Sequence, residues 1–147
     1  MILPYFEFMR IIELHNKYLS GQEGGQRACL KGAELYGYNL TGVNLAECDF
    51  QGASLKRTLL WGANLAGCNF SFANFKRANM EETSLKDACL ENAVLKGVNL
   101  HQADLRGADL RNANLEDAVL MDALYNDKTI WPDNFDPVAA GARFVAG

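Results

Sequence analysis

Residues 103–115, ADLRGADLRNANL, repeat a unit of five residues, and this repeat extends from residue 28 to residue 120. A large apolar residue stands at every fifth position from 30 onward. Nineteen positions follow this rule: fifteen are Leu, and the others are Phe50, Phe70, Phe75 and Met80. A small side chain, usually Ala, stands two positions before each of them, and Asn or Asp often stands one position before. This register decides the fold.

A period of five fits neither common secondary structure. An α-helix needs an apolar residue about every 3.6 positions, and a step of five would turn the apolar stripe by roughly 140° around the rod. In an extended segment, residues two apart point the same way, so the small residue and the large one both face inward. The other residues of the unit then turn a corner. Each unit therefore forms one short side of a solenoid.

The less common residues indicate four sides and twenty residues per coil. They recur at a spacing of twenty, in the pairs Cys48 and Cys68, Phe50 and Phe70, and Lys56-Arg57 and Lys76-Arg77. A coil of fifteen residues would instead stack Cys48 on Ala63. Because solenoids favour stacking of like residues, we expect residues twenty apart to be vertical neighbours.

At these residues the chain resembles the pentapeptide-repeat family, whose motif is Ala, then Asp or Asn, then Leu, then two free positions. The resemblance covers residues 28–125. It implies an all-β fold, a right-handed, four-sided parallel β-helix of about five coils. Departures from the motif are local. Tyr38 is the largest side chain at a small-residue position, and it lies in the first coil, where a capping element can make room for it.

Both ends of the repeat should be capped, because a solenoid end exposes an apolar layer and open backbone edges. Residues 1–27 are expected to form an N-terminal cap with a short amphipathic helix over residues 5–19, which Ser20-Gly21 ends. Its apolar residues near one face are Phe8, Ile11, Ile12 and Leu19. A membrane-surface helix is the less favoured alternative, since the polar face is not strongly basic.

Residues 126–147 are expected to form an irregular C-terminal cap. The segment 128–137 is similar to the tail that closes many cyanobacterial members of the family. Trp131 and Phe135 are the candidates for covering the last apolar layer, and residues 138–147 are expected to be partly loose.

Composition narrows the classes of function. The chain has 147 residues, enough for one domain, and a net charge of −4. This mild charge argues against a general nucleic-acid binder and against a strongly acidic mimic, so no nucleic-acid partner is expected. No apolar run approaches ~20 residues, so no membrane span is expected, and the first residues make a poor signal peptide. Four scattered Cys favour a reducing compartment, and we expect the cytoplasm.

No catalytic constellation appears, so we expect no enzyme activity, no cofactor and no metal. His15 and His101 are both expected to be surface residues, and Glu81, one coil before His101, should form an exposed pair with it that adds little stability. Cys48 and Cys68 should stack inside, where a disulfide is conceivable and buried free thiols are favoured. The Asn and Asp side chains should bond to nearby backbone at turns, and the recurrent Gly should ease corners.

Two surface features exceed what the repeat needs. The first is a basic ridge, ended by Glu116-Asp117, whose members are Lys56, Arg57, Lys76, Arg77 and Lys96. Like charges stacked at strand spacing repel, so an acidic partner is one interpretation of the ridge, and a solvated face with negative neighbours is the favoured one. The second is the pair Leu59 and Trp61, which flanks Leu60 and points outward. This pair is a candidate contact surface for a partner or a second copy, unless the tail covers it or it is simply exposed.

The favoured function is a non-enzymatic scaffold, with a regulatory role, that presents flat faces to an unknown protein partner; a homodimer stays open. A second interpretation comes from the resemblance, because quinolone-resistance members of the family mimic DNA and act on DNA gyrase. Such mimicry needs a long, strongly acidic rod. This chain is short and weakly acidic and carries the basic ridge, so the scaffold is favoured.

Overall fold

The computed structural model describes residues 2–147, and residues 28–125 within it wind as a four-sided solenoid. In nearly every unit one residue forms a single parallel bridge with the residue twenty positions later. One column of bridges joins Cys29, Asp49, Asn69, Cys89 and Asp109, and parallel columns start at Glu34, Asn39 and Asn44. Residues twenty apart are therefore vertical neighbours, as the sequence predicted.

Each side bonds to both neighbouring coils through its backbone. The N–H of Ser54 donates to Ala33 O in the coil before, at 2.8 Å, and the N–H of Leu55 donates to Asn74 O in the coil after, at 2.7 Å. Each side is so short that the ladder consists of isolated bridges. Within residues 2–147 the regular elements are helix α1, Tyr5–Leu19, and strands β1, Leu124–Tyr125, and β2, Arg143–Phe144.

Two local features form the corners, and the sequence predicted both: a residue with a positive φ and a side chain that accepts a backbone hydrogen bond. The residue two positions after the large apolar residue adopts a positive φ, which is 69° at Gly52 and 54° at Arg57. Only glycine enters this left-handed region without steric strain. The Asn or Asp side chain closes the turn, as where Asn74 Oδ1 accepts the N–H of Lys76 at 3.0 Å. The expected roles of these residues are confirmed.

The interior is a stack of apolar layers. Phe50 and Phe70 stack with ring centroids 4.8 Å apart, and Phe75 packs edge-on against Phe70 at 4.8 Å. Cys48 and Cys68 are buried free thiols, as the favoured interpretation held. The Cys68 thiol donates to Leu45 O at 2.9 Å. Burial raises the pKa of Cys68 to about 12, so the thiol stays protonated inside the column.

Helix α1 has the predicted bounds. It begins after Pro4, whose carbonyl accepts the N–H of Phe8 at 3.0 Å. It ends in a Schellman motif: the N–H of Gly21 donates to Tyr18 O and the N–H of Gln22 donates to Lys17 O. Within residues 2–147 no helix has both the length and the apolar character that crossing a bilayer requires.

Helix α1 packs against the first coil and makes room for Tyr38 there. The Tyr38 ring lies against Phe8 and Tyr5, with centroids 5.6 and 5.8 Å away, and its hydroxyl donates to Leu3 O. Phe8 is fully buried. The expected accommodation of Tyr38 by the N-terminal segment is confirmed.

The expectation that His15 is a surface residue is wrong. The His15 side chain is fully buried between α1 and the first coil. Its Nδ1 accepts the N–H of Ala28 at 2.9 Å, and its Nε2 lies 2.7 Å from Ala46 O. Because the amide can only donate to Nδ1, the proton of the neutral ring stands on Nε2 and is donated to the carbonyl. The imidazole thus links the helix to two points of the solenoid.

The tail contains a pairing that the sequence did not predict, at residues 143–145. Strand β2 pairs in parallel with β1, and the N–H of Val145 donates to Tyr125 O at 2.8 Å. Ile130 bridges to Asp109, an offset of twenty-one residues instead of twenty. One extra residue therefore enters the last turn and ends the regular stacking.

Trp131 and Phe135 lie against the core, as predicted. Their rings stack with centroids 5.1 Å apart, and Tyr125 meets the indole edge-on at 5.6 Å. Among residues 2–147, Trp131 Nε1 is the one buried side-chain nitrogen or oxygen without a hydrogen-bond partner. The indole therefore contributes through packing.

Candidate partner-binding surface

One side of the second coil, residues 57–61, presents three outward side chains of unlike chemistry. Thr58 and Leu60 point inward and are fully buried, while Arg57, Leu59 and Trp61 point outward. Leu59 is 44% exposed and Trp61 47% exposed. Residues 58–60 alternate as in an extended backbone, and Arg57 and Trp61 stand at the two corners that flank them. A cation, an aliphatic chain and an indole thus follow one another along this side.

The tail does not cover this pair. Strand β2 and Ile130 pair with residues 109–125, three or more coils further along the column. Above and below Leu59 in its own column stand polar residues, Asn39 and Asn79. The apolar pair is thus a local break in a polar face.

The basic ridge lies along the edge where that side begins. Its residues occupy one corner in consecutive coils, since the N–H of Arg57 donates to Lys76 O and the N–H of Arg77 donates to Lys96 O, both at 3.0 Å. The last cation has an acidic neighbour, because Lys96 Nζ lies 3.8 Å from Glu116 Oε2. Within residues 2–147 the other four ridge cations form no ion pair.

Four ridge cations also share a hollow. They line a surface depression of about 250 Å³ together with Tyr36, which the sequence analysis did not single out. Tyr36 stands at the same corner one coil before Lys56, and the N–H of Gly37 donates to Lys56 O at 3.0 Å. The spacing of twenty would have placed it there. The structure thus brings the ridge residues together.

The expected pair of His101 and Glu81 is present, with Nδ1 and Oε1 3.1 Å apart. A second carboxylate faces the other ring nitrogen, with Asp122 Oδ2 4.0 Å from Nε2. All three side chains are partly exposed, and no Ser or Cys nucleophile takes part in the contacts of the ring. The arrangement is a surface charge cluster.

A separate cluster offers ligand atoms of the kind that metals bind. One atom each from Cys89, Glu91 and Asp109 lies within 4.8 Å of the others. However, Arg111 already forms ion pairs with both carboxylates, because its Nη2 lies 2.7 Å from Asp109 Oδ2 and 3.8 Å from Glu91 Oε2. The hydrogen bonds from Arg111 lower the pKa of Asp109, so the carboxylate stays charged. Two of the three candidate ligands therefore contact a guanidinium in this structure.

Two exposed apolar features were missed by sequence reasoning. Phe72 is 63% exposed at a corner and has a φ of 61°, a conformation that disfavours a bulky residue. On α1, the exposed side chains Phe6 and Met9 line a groove of about 380 Å³ together with Ile12, which is buried. The five-residue register could have flagged Phe72, because it stands where glycine is most frequent.

The comparisons with known proteins bear on the whole repeat. A family model described as pentapeptide repeats matches eight copies over residues 26–62, 53–92 and 88–123. None of the curated proteins matches the sequence. Among solved structures, a pentapeptide repeat protein from the Arabidopsis thaliana thylakoid lumen is 29% identical with a TM-score of 0.65, over 67% of this chain and 68% of that one.

Rfr23, a pentapeptide repeat protein from the cyanobacterium Cyanothece 51142, is 27% identical with a TM-score of 0.63. The match covers 80% of this chain and 96% of that one. QnrB1, a plasmid-mediated fluoroquinolone resistance protein, is 20% identical with a TM-score of 0.46, over 82% of this chain and 64% of that one. Pentapeptide repeat proteins fold as right-handed quadrilateral β-helices, and the predicted fold class is confirmed to that extent.

Proposed function

Because the chain belongs to the pentapeptide repeat family, we propose that it is a scaffold, with a regulatory role, that binds a protein partner without catalysing a reaction. The observation that carries the proposal is the row Arg57, Leu59 and Trp61. Trp and Arg are among the side chains most enriched at the energetic centres of protein interfaces, and the adjacent cations orient a partner of opposite charge.

Rigidity supports this role. The second coil is bonded through its backbone to the coil before and the coil after, so the backbone that carries the three side chains is ordered before a partner arrives. A surface that is already ordered loses little conformational entropy on binding. Members of this family are generally non-enzymatic repeat proteins, which agrees with the proposal.

The caps and the compartment belong to the same proposal. We infer about five coils over residues 28–125, closed by residues 1–27 on one end and by residues 126–147 on the other. The burial of Phe8 on α1 and the pairing of β2 with β1 support the two closures. The cytoplasmic location stays a prediction.

The experiment compares two variants that remove an exposed apolar side chain from the same edge of the column. Trp61→Ala removes the proposed anchor, while Met121→Ala removes a side chain that is 52% exposed three coils away. Affinity capture from the source organism, quantified by mass spectrometry, identifies proteins that wild type and Met121→Ala retain. Isothermal titration with the purified partner then measures affinity.

We expect Trp61→Ala to weaken binding by at least tenfold, as for a central interface aromatic. A charge reversal, Lys76→Glu with Arg77→Glu, should weaken it too. Thermal unfolding of each variant serves as the folding control. A partner that binds all variants equally, or no retained protein at all, would contradict the proposed surface.

A further inference from the structure

We propose that the hollow lined by Tyr36, Lys56, Arg57, Lys76 and Arg77 is a binding site for a phosphoryl group. This inference extends the proposed function and rests on it in one respect only, namely that the protein partner carries the phosphoryl group that binds to the basic ridge. The hollow itself can be tested without any partner.

The first argument is the convergence of charge. Lys56 and Arg57 adjoin at one corner, and Lys76 and Arg77 occupy the same corner in the next coil. Coils stack at about 4.8 Å, the spacing of neighbouring strands, and the four cationic residues line one depression. Like charges at this spacing destabilise the fold unless an anion lies among them.

The second argument is that the protein does not itself supply the anion. Elsewhere in residues 2–147 the arginines Arg106 and Arg111 each hold a carboxylate at 2.7 Å. On the ridge, Lys96 has Glu116 within 3.8 Å. Glu34 stands one coil before Ser54 on the side that leads to the hollow, but it forms no ion pair with the four cations. Among residues 2–147, the hollow is thus lined by four cations that form no ion pair.

The third argument is chemical fit. A phosphate monoester carries about −1.5 to −2 charges at neutral pH and offers three acceptor oxygens. A single carboxylate would balance one of four cations. Two guanidinium groups can each bond two phosphate oxygens in a planar fork, and two ammonium groups add point charges. Tyr36, which also lines the hollow, carries a hydroxyl that can act as a further donor.

The chain also leaves space for one of these guanidinium stems. Gly97 follows Arg77 at the same corner in the next coil, and a Cβ at Gly97 would stand 3.3 Å from Arg77 Cγ. A side chain at position 97 would displace the arginine stem that leads to the hollow. Gly97→Ala therefore offers a way to disturb the site without removing a cation.

The test titrates the full chain with inorganic pyrophosphate at low ionic strength and follows backbone amide shifts by NMR. The double variant Lys76→Gln with Arg77→Gln removes two hollow cations. The double variant Lys86→Gln with Lys128→Gln removes the same net charge from two exposed lysines outside the hollow and is the matched control.

We expect shifts centred on residues 36, 56–57 and 76–77, with affinity in the control equal to wild type and at least tenfold weaker in the ridge variant. Trp61→Ala should leave pyrophosphate affinity unchanged, so a failure of the partner surface and a failure of this site are distinguishable. Equal weakening in both double variants, or shifts spread over all lysines and arginines, would overturn the proposal.

A second arm identifies the source of the group. A phosphoserine peptide, its unphosphorylated form and inorganic phosphate are compared on wild type. Binding of the phosphopeptide at least tenfold tighter than phosphate identifies a phosphorylated protein segment, and equal affinities identify a free phosphate compound. Binding of the unphosphorylated peptide as tight as the phosphopeptide would overturn the phosphoryl assignment.

Discussion

The buried imidazole of His15 allows a sharp test of how α1 is held. Replacing His15 with Ala removes both hydrogen bonds and leaves the N–H of Ala28 and the carbonyl of Ala46 without the partners that they have in the native fold. A buried backbone group left unsatisfied costs about 1–3 kcal/mol, so the two together set a range of about 2–6 kcal/mol. Water can enter the space vacated by the ring and satisfy one group. We therefore expect a loss of about 3 kcal/mol in the free energy of unfolding.

The chain supplies its own control in the only other histidine. His101 is partly exposed and pairs with Glu81 at the surface, so His101→Ala should change stability by less than about 0.5 kcal/mol. His15→Gln should recover part of the loss, because an amide side chain offers both an acceptor and a donor. Denaturation by urea measures all three variants.

Hydrogen exchange locates the effect. In His15→Ala the amides of α1 and of residues 26–30 should exchange faster, while those of residues 50–105 keep their protection. A loss similar to that of His101→Ala, or faster exchange spread evenly over all coils, would refute the reasoning. Either result would mean that the imidazole does not join the helix to the solenoid.

Four further predictions address the corners, the charges, the thiols and the alternative function. Gly52→Ala should cost about 1 kcal/mol by thermal unfolding, because φ is 69° and a Cβ there meets nothing within 4 Å, so the whole effect is conformational. Asp109→Asn keeps a turn acceptor but removes the charge. Because the pKa of Asp109 is lowered in the folded protein, the stabilisation from its charge is present above the unfolded value of about 3.9 and is lost as the pH falls below that value. Below about pH 3.9, the free energy of unfolding of the variant should therefore depend less on pH than that of the wild type. Iodoacetamide should label exposed Cys29 in the native protein, and it should label Cys68 only after denaturant is added, because burial raises the pKa of Cys68 to about 12. Peptide mass spectrometry measures the labelling. Equal labelling of the two thiols in the native protein would contradict the burial of Cys68. A supercoiling assay should show no inhibition of DNA gyrase by a micromolar excess of protein, because the basic ridge opposes DNA mimicry, and inhibition would restore the second interpretation.

Much of the fold was predictable because the interactions that determine it are repeated. The five-residue register placed the interior, and the recurrence of Cys48 as Cys68 gave the coil length that the bridges then showed. The position of the basic ridge followed from the same spacing of twenty residues. The position of Tyr36 at the same corner could have been predicted from that spacing too. Each of these inferences needed only a local rule applied many times.

The features that were missed depend on single contacts between distant residues. The hydrogen-bond partners of His15 lie 13 and 31 positions away, and neither distance is a multiple of the five-residue repeat. No sequence pattern therefore indicated that His15 is buried. The pairing of Arg143–Phe144 with Leu124–Tyr125 follows a turn that the repeat does not encode. Phe72 is a different case, because the five-residue register places it at an exposed corner and only its hydrophobicity suggests burial.

Stacking at intervals of twenty has a consequence for how such a chain tolerates length changes. Gaining or losing twenty residues within 28–120 would shift everything beyond the join along the axis and leave its orientation unchanged. Gaining or losing five would preserve the motif and the buried layers, yet rotate the downstream portion by a quarter turn. Placed between residues 57 and 76, such a change would put Lys56-Arg57 and Lys76-Arg77 on different edges. A length change in multiples of five would thus conserve the architecture while redistributing its surface chemistry.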